Sequence, residues 1–348
     1  MQGEDEENGG GGDKNSTGKG VVPLFFRVVN TKYKERHYWY LKLLESHRQG
    51  DKIRHRQLVN LSTLSQLPED RIKRIFKDLT KTVALFKEVS AVLPPGYRYL
   101  KTPYLLALEN SFKVPQGCHD LDLGETFTAG VKNRQNTVDE SRLFDLIDKK
   151  MQEYGLSTGL IGWVENMASG GPGGNMTVCF LLNSSGFPLR YVVLERTKGD
   201  GTNILDSLQI GDNPPEFFLA PACERFYNEF RPEAPSEKEN GYIFREIFLI
   251  KQLAGWPESI DQNLEKILLF GNSAAFRDDK INLALLVATD LKNHLDYLKH
   301  RLNPTDKGIA MDTKDLVRTC FISLFFKKVF DSIIFRHNLP QRTLQPRT

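Results

Sequence analysis

Three cations alternate with other side chains in Lys52-Ile53-Arg54-His55-Arg56. In an extended strand, side chains recur on one face every second residue, about 6–7 Å apart. That interval suits Lys52, Arg54 and Arg56 to successive phosphates of a nucleic acid. The same alternation expects Ile53 and Val59 together on the opposite face. Tyr38-Trp39-Tyr40, on the segment before, adds aromatic faces able to stack on bases. An ordinary exposed sheet face above buried aromatics accounts for the same residues, and both readings stay open at this point.

Other chemistry is thinly represented. The loop ASGGPGGN, residues 168–175, is glycine-rich, but no GK[ST] follows and the next segment reads as a strand. Phosphate cradling uses a helix N-terminus, so a flexible hairpin connection is the better reading. Cys118-His119-Asp120 with Asp122 offers metal-ligand types, but a closed zinc site needs about four ligands and no second half appears. No GxSxG elbow accompanies the histidines, so hydrolase chemistry has no support.

The elements that position the cationic strand come next. Residues 1–20 are glycine-rich and polar and read as a disordered tail. A strand begins near Val21, a second covers 36–45, Arg48-Gln49-Gly50-Asp51 forms a turn, and a third strand covers 52–61. Pro68, Glu69 and Asp70 suit a first helical turn. Ile72, Ile75, Phe76, Leu79, Val83 and Phe86 then recur at helical spacing. The result is a small β-β-β-α module. Further on, the patterning expects helices over 104–112 and 138–154. Strands follow over 156–164, 176–182 and 189–196, the last two forming a hairpin around 183–186. Helices are expected again over 201–208, 260–269, 283–302 and 313–335.

Length and charge narrow the classes. The chain has 348 residues, enough for two domains or one large one, and 40% are apolar, which excludes wholesale disorder. Net charge is +3 overall, yet residues 21–101 carry 17 Lys/Arg against 7 Asp/Glu, a local +10. Residues 318–348 add six bases and one acid. A basic block beside an acidic body suggests a polyanion-binding surface. The four cysteines are scattered with no CxxC pair, which argues against a disulfide scaffold and for a reducing compartment. No stretch supplies about 18 uninterrupted apolar residues, and the start is acidic, so no membrane span or leader is expected.

Two blocks carry a resemblance. In residues 38–72 these are Tyr40-Leu41-Lys42-Leu43, Glu45-Ser46, Arg48, Gly50, Lys52, Arg54, Arg56, Asn60-Leu61 and Leu67-Pro68-Glu69. In residues 177–205 they are Gly186-Phe187-Pro188-Leu189, Tyr191, Asp200, Thr202 and Leu205. Both, in this order, resemble bacterial insertion-sequence transposases of the IS4 superfamily, IS1634-like group. The resemblance implies an α/β fold: an RNase-H-like mixed sheet with flanking helices, behind the N-terminal module. Divided accordingly, 21–92 is a basic DNA-binding module, 93–137 an irregular linker, 138–336 the core with its C-terminal helix, and 337–348 a basic tail.

Function by resemblance is DNA cleavage and strand transfer in transposition, with three carboxylates holding two Mg²⁺ ions about 4 Å apart. The expected carboxylate positions fall instead on Gly155, on Pro221 after Phe217-Phe218-Leu219-Ala220, and near Lys292 before LDYLK. Catalytic and metal residues are therefore unassigned, and a degenerate copy, a non-catalytic DNA- or protein-interaction protein, is the alternative. Lys42, Arg48, Lys52, Arg54 and Arg56 are the expected contacts to duplex DNA at the element ends. A homodimer is left open, and a cytoplasmic, nucleoid-associated location is expected.

Overall fold

The computed structural model describes residues 24–49, 52–63, 67–93, 101–114, 140–153, 160–168, 175–194, 217–221, 242–250, 264–272, 278–302 and 313–339. These form two β-sheets and five helices. The expectations for residues 1–20, for Cys118 to Asp122, for Gly155 and for the 201–208 helix lie outside them.

The first sheet is an antiparallel meander of β1 (Leu24–Tyr33), β2 (Arg36–Gln49) and β3 (Lys52–Thr63). Lys34 and Glu35 close β1 to β2 with φ of 47° and 67°, the left-handed pair that a two-residue hairpin loop needs. Leu24 and Phe26 of β1 and Leu41 and Leu43 of β2 are buried on one face. Helix α1 (Glu69–Val92) covers that face with Ile72, Ile75, Leu79, Val83 and Phe86, as its spacing requires. Its first turn carries Glu69 and Asp70, which complement the helix dipole, while Arg71 and Ile72 N–H donate to the Pro68 carbonyl.

Helix α2 (Lys101–Phe112) is buried from Thr102 through Glu109 and packs along α5 (Thr313–Arg336). The two helices meet α1 in an aromatic cluster: Tyr104 lies 5.0 Å from Phe86, 4.9 Å from Phe326 and 5.3 Å from Phe330, ring centre to ring centre. Buried Tyr104 keeps its hydroxyl satisfied at 2.8 Å from Thr82 Oγ1. Amphipathic α3 (Ser141–Glu153) buries Leu143, Ile147 and Met151.

The second sheet has the order β6-β5-β4-β7-β9-β8. Its strands are β4 (Leu160–Ala168), β5 (Asn175–Asn183), β6 (Pro188–Leu194), β7 (Phe217–Pro221), β8 (Tyr242–Ile250) and β9 (Leu264–Asn272). β4, β5 and β6 form an antiparallel meander, and β4 pairs in parallel with β7. The β5–β6 turn forms as expected: Gly186 takes φ of 79°, and Asn183 Oδ1 accepts from Ser185 and Phe187 N–H. Helix α4 (Asp278–Arg301) and α5 complete the described chain. No helix among the described residues is long and apolar enough to cross a membrane.

One expected element is of the other type. Residues 260–269 were expected to be helical, but 264–272 form β9, hydrogen-bonded to β7 on one side and β8 on the other. A short run such as Ile267-Leu268-Leu269-Phe270 has no periodicity to separate a buried strand from a helix. Its two neighbours decide it.

Candidate nucleic-acid interface

The cationic segment stands beyond the sheet. The described part of β1 begins at Leu24 opposite Glu45, whereas β2 continues to Gln49 and, among the described residues, pairs there with β3 alone. Ser46–Gln49 and Lys52–His55 are therefore a two-stranded ribbon. Arg48 and Gln49 belong to it, not to a turn, and Gly50 and Asp51 lie outside the described residues. Every described residue from Lys52 to Gln57 is exposed. Among the described residues neither Lys52 nor Arg54 has an ion-pair partner.

Cross-strand register sorts the cations. Residues directly opposite in an antiparallel pair share a face. Gln49 faces Lys52, His47 faces Arg54 and Glu45 faces Arg56, whereas Arg48 faces Ile53. Lys52, Arg54 and Arg56 thus occupy one face, as expected, and Arg48 occupies the other. Lys42 sits back in the sheet, half-buried between Arg27 and Asn60. The ribbon consequently carries positive charge on both faces.

Ile53 and Val59 do not share a face. Ile53 is 70% exposed, while Val59 is fully buried. Register shifts skip Leu58, between Val59 and Gln57, and Leu61, between Ser62 and Asn60. A bulge of this kind resets the two-residue alternation, so Leu58, Val59 and Leu61 are all buried. The base of the ribbon is braced by Ser46 Oγ 3.1 Å from His55 Nδ1 and by an edge-on Phe25–His55 contact at 5.1 Å. The aromatic trio is not brought to the cations. Trp39 packs against the core, and Tyr38 to Tyr40 lie about 30 Å along β2 from Arg48 at a strand's rise per residue.

The second place to look is where β4 and β7 run parallel. Trp163 pairs with Leu219, so Glu165, two residues on, lies level with Pro221. Glu165 is a carboxylate that the sequence reading missed, because the expected strand stopped at Val164. A lone acid in the largely apolar run GWVENMA was the available signal. It is only 4% exposed. Lys299 Nζ lies 3.1 Å from Oε1 and Lys292 Nζ 3.8 Å from Oε2, and Trp163 Nε1–H donates to Oε2 at 3.2 Å. Lys292 also pairs with Asp296 at 2.9 Å.

These residues do not fit a pair of divalent ions. Mg²⁺ takes carboxylate oxygens and waters, and two ammonium groups already lie against this carboxylate. Among the described residues no three His, Cys, Asp or Glu side chains converge as a metal cluster. Asp200, Asp206 and Asp212 lie outside the described residues. Cys179 and Cys320, the cysteines among the described residues, are buried free thiols, and burial pushes Cys320 up to about 12, which disfavours a thiolate at either.

A further buried polar cluster ties α4 to α5. Lys327 donates to Asp290 at 2.8 Å and to Asp331, and Lys328 pairs with the other Asp290 oxygen. Burial works to raise the Asp290 carboxyl, but both lysines outweigh it and hold it well below the usual range. His294 beside it accepts from Asn110 Nδ2 at 2.6 Å and donates from Nε2 to Ser323 Oγ at 3.1 Å. These contacts are structural braces.

The model of the IS1634 family transposase, N-terminal domain, matches residues 26–85. That stretch runs from Phe26 in β1 to Leu85 in α1 and contains the whole ribbon. The match supports an insertion-sequence transposase. No curated protein and no solved structure matches the chain.

Proposed function

We propose that this chain is a transposase-like DNA-binding protein whose β2–β3 ribbon grips duplex DNA. The observation that carries the reading is the projecting ribbon itself, cationic on both faces, inside the segment similar to a transposase N-terminal domain. A two-stranded ribbon fits the roughly 12 Å major groove of B-DNA, and entering it edge-on would turn its opposite faces toward opposite groove walls. Lys52, Arg54 and Arg56 would meet one phosphate rail and Arg48 the other, with Lys42 weaker and nearer the sheet. The partner class is duplex DNA, including the ends of a mobile element.

Cleavage and strand transfer form the finer part of this reading. A mixed sheet in which an antiparallel meander is followed by a parallel strand, β6-β5-β4-β7, is compatible with an RNase-H-like core. Two-metal chemistry there would draw on acids beyond Glu165. The alternative reading is a non-catalytic DNA- or protein-interaction protein built on the same frame, in which Glu165 serves only as the ion-pair partner of Lys292 and Lys299.

A salt titration tests the first reading. Each neutralised phosphate contributes about −0.9 to the slope of log affinity against log salt. Changing Lys52 and Arg54 to Ala should flatten the slope by about two units. Duplex binding insensitive to salt, or a slope unmoved by the double variant, overturns it. Incubation with a terminal-repeat duplex and Mg²⁺ or Mn²⁺ separates the readings: release of a 3′-hydroxyl end removes the non-catalytic one.

A further inference from the structure

A second positive surface lies away from the ribbon. Along α1, Arg71, Arg74, Lys77 and Lys81 recur three or four residues apart and so form a row about 15 Å long. With the C-terminal end of α5 they line a cleft of about 620 Å³. A bare row of like charges destabilises a helix unless something answers it. Among the described residues Asp78 is the one acid lining the cleft, and it is already engaged: Lys81 at 2.9 Å, His337 at 3.0 Å and Arg336 at 3.3 Å.

The end of α5 does not neutralise the row either. A helix C-terminus is negative because its last carbonyls are unmet. Here Asn338 takes φ of 43°, Leu339 N–H donates to the Ile334 carbonyl, and Arg71 donates to the carbonyls of His337 and Asn338. Arg71 is thereby spent as a clamp between α1 and α5. Arg74 and Lys77, both exposed, have no acceptor among the described residues.

We infer that the cleft between α1 and the end of α5 is a second nucleic-acid backbone site, in which Arg74, Lys77 and Arg336 hold phosphates of the duplex that the ribbon grips. The inference rests on the DNA-binding reading and adds a contact made jointly by the N-terminal module and the last helix. The cleft is far larger than one phosphate, and the spacing of the row, about 5–6 Å, follows a phosphodiester chain.

The experiment uses the full chain and a fluorescein-labelled duplex of arbitrary sequence. Arg74→Ala with Lys77→Ala should lower the salt slope by about two units. Lys52→Ala with Arg54→Ala should do the same, and the quadruple variant should lower it by about four. Thermal melting of each variant checks that the fold is retained. An unchanged slope for the Arg74/Lys77 variant, with the Lys52/Arg54 variant lowered, overturns the cleft and leaves the ribbon standing. Salt-insensitive binding by the unaltered chain overturns both. Inorganic phosphate at matched ionic strength should compete no better than chloride; saturable displacement at low millimolar phosphate would make the cleft a small-anion site and overturn the inference.

Discussion

Replacing Glu165 by Gln separates an ion-paired carboxylate from one held in readiness for a metal. The amide keeps the size of the side chain and can still accept from Trp163 Nε1–H, while the charge is lost. Contacts of 3.1 and 3.8 Å to Lys299 and Lys292 are each about 4–5 kcal/mol of attraction at an effective dielectric of 20, before desolvation is subtracted. Removing one partner of a buried pair costs roughly 3–5 kcal/mol. Both lysines have an escape here. The Lys299 side chain is 32% exposed, and Lys292 retains Asp296 at 2.9 Å. The expected loss is therefore about 2–3 kcal/mol, at or below the low end of that range. Urea unfolding with and without millimolar Mg²⁺ measures it, and the loss should be the same in both. A carboxylate crowded by other acids behaves oppositely: its neutralisation stabilises the metal-free protein. A Gln variant more stable than the parent would refute the reasoning. So would stabilisation of the parent by Mg²⁺, about 2.7 kcal/mol at a hundredfold excess over Kd, that the variant loses.

Three further outcomes follow from particular contacts. Burial, with the Lys327 charge nearby, holds His294 well below its ordinary value, so the unfolded chain takes up that proton first. The stability from neutral His294 is present above about pH 6.5 and falls by about 1.4 kcal/mol per unit below it; urea unfolding from pH 7.5 to 5 should show this limb, and His294→Gln should remove it. Gly162→Ala would place a Cβ 2.5 Å from Cδ1 of buried Phe218; overpacking should cost about 1–3 kcal/mol in thermal or urea unfolding, with no change in the DNA salt slope. Lys34→Asn with Glu35→Gly puts residues suited to positive φ into the β1–β2 loop and should raise stability by about 1 kcal/mol, read from the urea midpoint.

Much of the ribbon was legible because it is local. The Lys52 to Arg56 alternation, the glycine at 50 and the flanking β-branched and aromatic residues identify two strands and their connection within thirty positions. What alternation could not supply was its own interruptions. Leu58 and Leu61 bulge out of register, and the Leu58 bulge lies between Ile53 and Val59, which therefore do not share a face. Arg48 was grouped with the other cations on chain proximity, but opposite-strand pairing places it beside Ile53. The 264–272 strand was misread for the related reason that its identity comes from β7 and β8.

Short-range order was thus written into the residues: the basic front of the chain, the hairpins, and helices such as 313–335 whose apolar spacing is continuous. Proximity along the backbone is enough for turns, caps and periodic faces. Only the tertiary structure set two lysines of α4 against Glu165 of β4, and clamped α1 to the end of α5 through Arg71. Charged groups far apart in the chain have no reason in composition or spacing to meet. Packing of the sheet and helices between them brings them within a few ångströms, where Coulomb attraction and desolvation decide what each can bind.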